Sequence, residues 1–493
     1  MNKISIISLI IVFFTCTILQ RSQAQTVTLQ SEQKRFLLLD SRIVESSQNA
    51  KLEVGTVEKH KANPLFGEDK EWEMRFDNFY GNVMFDEEDG IYKCWYSPFI
   101  IDSSAKGIAV SMPLKKYEAP ENREMAICYA TSKDGVKWEK PNLGLVEFEG
   151  NKNNNIVWRG NKKKSSDGDD DWMDLDNLTK NEQSFWDGIH GTGVFKDLHE
   201  KDPMRRYKAI FKDSVLSYST SPDGLNWSPA KFCTGVTVAG DTHNNVFWAP
   251  TLNKYVGITR TWGKMGREVA RVESQDFTNW TKEEVILEGL DKNLQPYSMP
   301  VFYYAGVYLG LIAIHEQSSD KVWTELAWSP DTKKWYRIDA GNPLIPTSEK
   351  KLDYDYGCVY TCAYPIFKDN EIQLYYGGSD WLHYGWRNGT MNLATLREDG
   401  FAGYVPENEN QEGIITTKSL KFNGQDIKLT ADVEKGGTIK VTVLNSEGIE
   451  ITSLETISKT ITNRSIKFKS KITEENIKLK FEFNKAKLYS FEI

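Results

Sequence analysis

Aspartates recur at one place in this chain, just ahead of short apolar runs that read as strands. Asp77 precedes Asn82-Val-Met-Phe85, Asp187 precedes Gly191-Thr-Gly-Val-Phe195, and Asp241 precedes Val246-Phe-Trp248. Asp353 and Asp355 precede Cys358-Val-Tyr360, while the matching phrase Gln295-Pro-Tyr297-Ser298 has no acid. Any one such Asp is an ordinary turn former. Several brought round one cavity would push their pKa values apart. One would stay ionised and another could hold its proton, the pairing that glycosidic bond cleavage needs. Polar residues beside these phrases are candidates for substrate contact. His190, His243 and His383 are three of only six histidines. Arg260 and Arg387 could pair with a carboxylate or sulfate on a sugar. The run Gly377-Gly-Ser-Asp380-Trp381-Leu-His383 could line a rim, with Asp355 nearby; Trp186 or Trp381 could stack on a sugar face or simply pack.

The elements that would position these residues repeat. Ser, Asp two residues on and Trp at six occur at Ser132/Asp134/Trp138, Ser221/Asp223/Trp227, Ser274/Asp276/Trp280 and Ser329/Asp331/Trp335, with a weaker copy over Ala394–Phe401. Copies spaced 89, 53 and 55 residues apart suggest a propeller or solenoid. Each copy reads as a tight turn between two strands, with the Trp as packing anchor. A second aromatic phrase precedes each, as in Ile91-Tyr-Lys-Cys-Trp-Tyr96 and Ile372-Gln-Leu-Tyr-Tyr376. The chain is therefore expected to be all-β, a five-bladed β-propeller over 25–405 followed by a small β-sandwich over 406–493. The run Arg35–Val44 is expected to add a strand that closes the ring. The long first spacing holds an insertion, Asn151–Asp171, whose acidic stretch 167–171 is a solvated loop or a structural calcium site. No cofactor is otherwise required and no metal cluster is expected.

Composition narrows the partners. Formal charge is −8 over 493 residues, which disfavours nucleic acid. Residues 1–24 read as a secretory leader, with Lys3, an apolar run to Leu19 and Ser22-Gln-Ala24 at the cleavage site. The product is expected to be periplasmic or extracellular, without a membrane anchor; its oligomeric state stays open. Outside the leader an odd number of cysteines remains, with no zinc-like spacing, so buried small hydrophobes are expected.

The Asp turns and blade pattern over residues 35–405 resemble the five-bladed propeller glycoside hydrolases related to arabinanases, levansucrases and invertases. The C-terminal sandwich is similar to the module that accompanies invertase-type enzymes. The resemblance implies three acids from the first three blades: Asp77, since Asp77-Asn-Phe-Tyr-Gly81 matches an invertase-type motif, then Asp187 by blade order, then Asp241. This chain departs from the pattern in having Asp241 where the family's third acid is usually Glu. An alternative alignment puts Asp241 or His243 at the stabiliser position and leaves Glu316 as a spare general acid. The implied function is a secreted glycosidase acting from the chain end of a plant or algal oligo- or polysaccharide. The alternatives are a non-catalytic carbohydrate-binding propeller, a phosphorolytic propeller with His and Arg holding phosphate, and a sialidase. The last would need six blades and three arginines on the sugar carboxylate.

Overall fold

The structure is a computed structural model describing residues 34–102, 123–159, 189–213, 215–454 and 456–493. The leader, the acidic run 167–171 and Trp186-Asp187 lie outside the described residues. Five blades follow one another round a central axis as a propeller, the fourth and fifth joined into one sheet by a parallel pairing of Val322 with Cys358. Their inner strands are Asn82–Asp86, His190–Lys196, Asn245–Ala249, Leu294–Ser298 with Val301–Tyr304, and Cys358–Thr361.

The inner strands are stitched by polar side chains at their starts. The Asn82 amide donates to the Thr192 carbonyl at 2.8 Å and accepts from Val194 N–H at 3.0 Å. Asn245 repeats the device two blades on, accepting from Val301 N–H at 2.9 Å. Ala363 N–H donates to the Gly81 carbonyl at 2.9 Å and joins blade five to blade one. Strand spacing here tolerates no side chain at Gly193, where a Cβ would sit 2.1 Å from the Asn244 carbonyl oxygen.

The repeated Asp turns lie between the third and fourth strands of blades one to four. In blade two, Asp223 Oδ1 accepts from Leu225 and Asn226 N–H, both at 2.8 Å, while Gly224 adopts φ 77°. Asp134, Asp276 and Asp331 accept the same pair of backbone donors. Asp223→Ala orphans those donors and should cost about 1–2 kcal/mol. A lower unfolding temperature by calorimetry checks this; unchanged stability would mean that Gly224 alone fixes the turn.

The ring does not close through Arg35–Val44, as the sequence suggested. The outermost strand of blade five is supplied by Glu58–Lys59 and Phe66–Gly67, paired with Gly389–Arg397. Arg35–Leu37 instead pairs with the C-terminal strand Asn476–Glu492, and Val44–Gln48 and Ala50–Val54 join the same ten-stranded sheet. The reason is apolar side chains on both faces of Phe36-Leu-Leu-Leu39. Phe36 and Leu38 enter the C-terminal core, and Leu37 and Leu39 the core of blades four and five. The segment therefore fits only between two bodies. The C-terminal body is a β-sandwich built on two long strands, Lys428–Asn445 and Asn476–Glu492, around Ile439, Val441, Leu479, Phe481 and their neighbours. Cys94, Cys128, Cys233, Cys358 and Cys362 are all buried free thiols.

Candidate active site

Asp77 sits in a turn that few L-residues adopt. Asp77, Phe79 and Tyr80 all have positive φ, at 57°, 65° and 46°. Packing holds this strained turn, since Phe76 and Phe79 are buried and Phe79 stacks on Tyr96 at 5.3 Å. Strain of this kind gathers where a side chain must be aimed. Asp77 is aimed between two guanidiniums, Arg75 at 3.0 Å and Arg387 at 2.9 Å. Burial pushes its carboxyl up, but Arg75 and Arg387, with His190 and Arg123 behind them, overcome this and hold it below the usual carboxylate range.

Asp241 comes from blade three and meets side chains of blades two and three. His190 and Lys212 are direct cross-strand partners in blade two, so they share a face. His190 Nε2 lies 3.1 Å and Lys212 Nζ 3.2 Å from Asp241 Oδ1, and Arg260 lies 2.8 Å from Oδ2. Burial raises this carboxyl, but the bond and charge of His190, then Arg260 and Lys212, outweigh it and hold it far below its ordinary value. Its side chain is nevertheless 49% exposed, against 15% for Asp77. Asp241 is the more accessible carboxylate of the two.

A buried polar chain joins the two aspartates. Arg387 donates to Asn78 Oδ1 at 2.8 Å as well as to Asp77. The Asn78 amide donates to the Tyr80 hydroxyl at 2.7 Å and the Tyr297 hydroxyl at 3.2 Å. The Arg260 guanidinium lies 5.1 Å from the centre of the Tyr297 ring. The Tyr80 ring touches His190 at 5.3 Å and His243 at 5.5 Å. Burial, then Tyr297, Asp77 and Asp241, all hold the Tyr80 phenol in its protonated form. Tyr80 thus lies within the electrostatic reach of both carboxylates.

Neutral histidines complete the cluster. Burial lowers His243 to about 3, and its Nε2 lies 3.3 Å from Asn82 Oδ1 on the axis. His383 Nδ1 bonds the Tyr360 hydroxyl at 2.8 Å, and its ring lies 4.8 Å from Tyr297 and 4.5 Å from His315. Burial, and then the charges of Arg387, His315, Arg267 and Arg260, hold His383 well below its ordinary pKa.

The other sequence candidates lie elsewhere. Asp355 is sealed under blade five on Lys59 at 2.7 Å and the Tyr376 hydroxyl at 2.8 Å. Trp381 packs on Tyr356 at 5.7 Å with little exposure. Asp380 caps Asn388, accepting its backbone N–H at 2.8 Å. Glu316 bonds Ser319 at the end of its hairpin, and it is the neighbouring His315 that turns inward. Tyr297 is the contribution of the fourth blade, at the one inner-strand start without an acid.

One carboxyl escaped the sequence altogether. Glu68 Oε1 accepts Phe76 N–H at 2.6 Å and Gly389 N–H at 2.9 Å, one residue behind Asp77. Burial raises it to about 8, against the pull of those donors and of Arg75. It is the carboxyl here that keeps a proton at neutral pH. Its folded pKa lies above the unfolded value of 4.5, so the folded state binds the extra proton and stability falls as pH rises from 4.5 to 8. Glu68→Gln is expected to unfold at a higher temperature than wild type at pH 9 and at an equal one near pH 4. Parallel melting-temperature profiles for the two proteins would remove the proton from Glu68.

A cavity of about 650 Å³ opens at the other end of the inner strands, between Phe85, Phe195, Tyr364 and Phe367. Its buried carboxylate, Asp86, is already taken by Lys93 and Lys196, each at 2.8 Å. The more accessible carboxylate, Asp241, lies with Asp77 at the opposite end.

No protein-family model and no curated protein matches the chain. Distant likenesses exist among solved structures. A glycosyl hydrolase from Bacteroides ovatus is 14% identical, with TM-score 0.46, over 69% of this chain and 93% of that one. The β-1,2-mannobiose phosphorylase from Listeria innocua is 13% identical, with TM-score 0.46, over 69% and 96%. An N-acetylgalactosamine deacetylase from F. plautii is 12% identical, with TM-score 0.45, over 72% and 97%. Likenesses at this level assign no activity to the chain.

Proposed function

We propose that the protein is an exported carbohydrate-active enzyme that cleaves glycosidic bonds in the propeller funnel. The observation that supports this most is the buried chain through Arg387, Asn78, Tyr297 and Arg260 that links Asp77 of blade one to Asp241 of blade three. Two carboxylates held ionised suit the positive charge that develops at an anomeric carbon as the bond breaks. Neither can supply the proton for the leaving oxygen; Glu68, raised to about 8 and held on the Phe76 and Gly389 N–H groups behind the Asp77 turn, is the carboxyl that carries one. Neutral His243 and His383 and the phenols of Tyr80, Tyr297 and Tyr360 offer donors and acceptors for sugar hydroxyls without adding charge.

The test is incubation of the purified protein with plant and algal glycans, with released sugars followed by mass spectrometry. Sugar release by the wild type, abolished in Asp77→Asn, supports the reading. Binding without release would make the same cluster a carbohydrate-binding site.

A further inference from the structure

The cationic side of the funnel is richer than its two aspartates require. Asp77 takes Arg75 and Arg387, and Asp241 takes Arg260, Lys212 and His190. Arg267 takes no carboxylate among the described residues. It is 93% buried, since its relative exposure is 7%, and it bonds only neutral groups: Gln295 Oε1 at 3.0 Å and the Tyr384 hydroxyl at 3.3 Å. Its Nε has no partner. Arg260 is 5% exposed, and its Nε and Nη1 are likewise without partners. A buried guanidinium with no counter-ion and idle donors is costly unless something anionic completes it.

The two arginines face one place. Arg260 and Trp262 lie two residues apart on one strand, and Trp262 is the direct cross-strand partner of Arg267. All three side chains therefore share a face at the tip of one hairpin. Both guanidiniums lie 5.1 Å from the Tyr297 ring centre, and 5.5 Å and 5.0 Å from that of Trp262. Trp262 is 60% exposed and Tyr384 46%, so aromatic surface flanks the charge at the mouth of the site. The arrangement offers a flat platform for a sugar face beside a pair of donors matched to an oxyanion.

From this the geometry points to an anionic glycan as substrate, its sugar-borne carboxylate or sulfate held by Arg260 and Arg267 with the ring against Trp262. This rests on the glycosidase reading and names its substrate class.

The experiment pairs each charged glycan with its neutral counterpart. Uronate oligosaccharides are compared with carboxyl-reduced ones, and sulfated galactans with desulfated ones, by calorimetric binding to Asp77→Asn and by turnover with wild type. The expected result is at least tenfold tighter binding of a charged member, weakening as salt rises while the neutral member is unaffected. Which pair responds separates carboxylate from sulfate. Arg267→Met should cut the charged-over-neutral preference about tenfold or more, and Arg267→Lys should recover part of it. Should either variant fail to fold, the salt dependence with an intact Arg267 still decides. Equal binding and turnover of charged and neutral members overturns the inference and leaves the glycosidase reading standing. Turnover that needs added inorganic phosphate and ignores the sugar's charge overturns the inference and replaces hydrolysis by phosphorolysis. Tight charged-glycan binding without any cleavage by wild type supports the subsite and overturns the glycosidase reading. Binding to no member of the panel overturns both.

Discussion

Asp77→Asn should lower kcat/KM by about 10³-fold or more while leaving the propeller assembled. The amide matches the carboxylate in size, so the strained turn from Asp77 to Tyr80 keeps its shape. What disappears is the negative charge that would face the reacting carbon. The same change leaves Arg75 and Arg387 beside a neutral group, at contacts that are now 3.0 and 2.9 Å. Stability should fall as well, by up to about 3 kcal/mol, because removing one member of a buried ion pair strands the other. The two effects separate by temperature. Activity is measured well below the variant's melting point, with near-ultraviolet circular dichroism confirming native packing. A folded Asp77→Asn protein with wild-type turnover would falsify the catalytic role and leave Asp77 as a structural counter-ion.

Asp241→Asn should cost about 10²–10³-fold in kcat/KM with a smaller loss of stability, because this side chain is half open to solvent. Its removal frees Arg260, Lys212 and His190 together, making an already cationic corner of the funnel more positive. Binding of anionic sugars should therefore rise as turnover falls. A KM that drops while kcat collapses is the signature, read from initial rates on a charged oligosaccharide. If kcat and KM both stay at wild-type values, Asp241 serves only to neutralise its three partners.

Local features of this molecule were legible in the chain because they are local. The Ser and Asp of each repeat bond backbone within four residues of themselves, so their spacing alone announces the turn. The fifth copy is weak for a physical reason. After Asp399 the chain leaves for the C-terminal sheet, and the strand that the turn would introduce comes from residues 58–67. Strands of two residues carry no periodicity, so nothing in their sequence marks them as the closure. Asp77, Asp241, His190, His243 and His383 are readable as candidates because they stand beside the strand-start phrases, and Arg260 and Arg387 because a guanidinium suits a sugar carboxylate or sulfate. Arg267 and Lys212 were not, because their place depends on cross-strand register with Trp262 and His190. Glu68 was missed because its chemistry comes from burial against two backbone amides contributed by distant segments.

The strands Arg35–Leu37, Val44–Gln48 and Ala50–Val54 build the rear body before the chain starts its ring, and Ile493 N–H returns to the Lys34 carbonyl at 3.0 Å. The rear lobe is thus split in the gene, and the ring from Glu58 to Arg397 is set within it. A cut at the apparent boundary near residue 406 would sever Arg35–Leu37, Val44–Gln48 and Ala402–Pro406 from hydrogen-bonded neighbours beyond it, so residues 407–493 alone do not make the rear lobe.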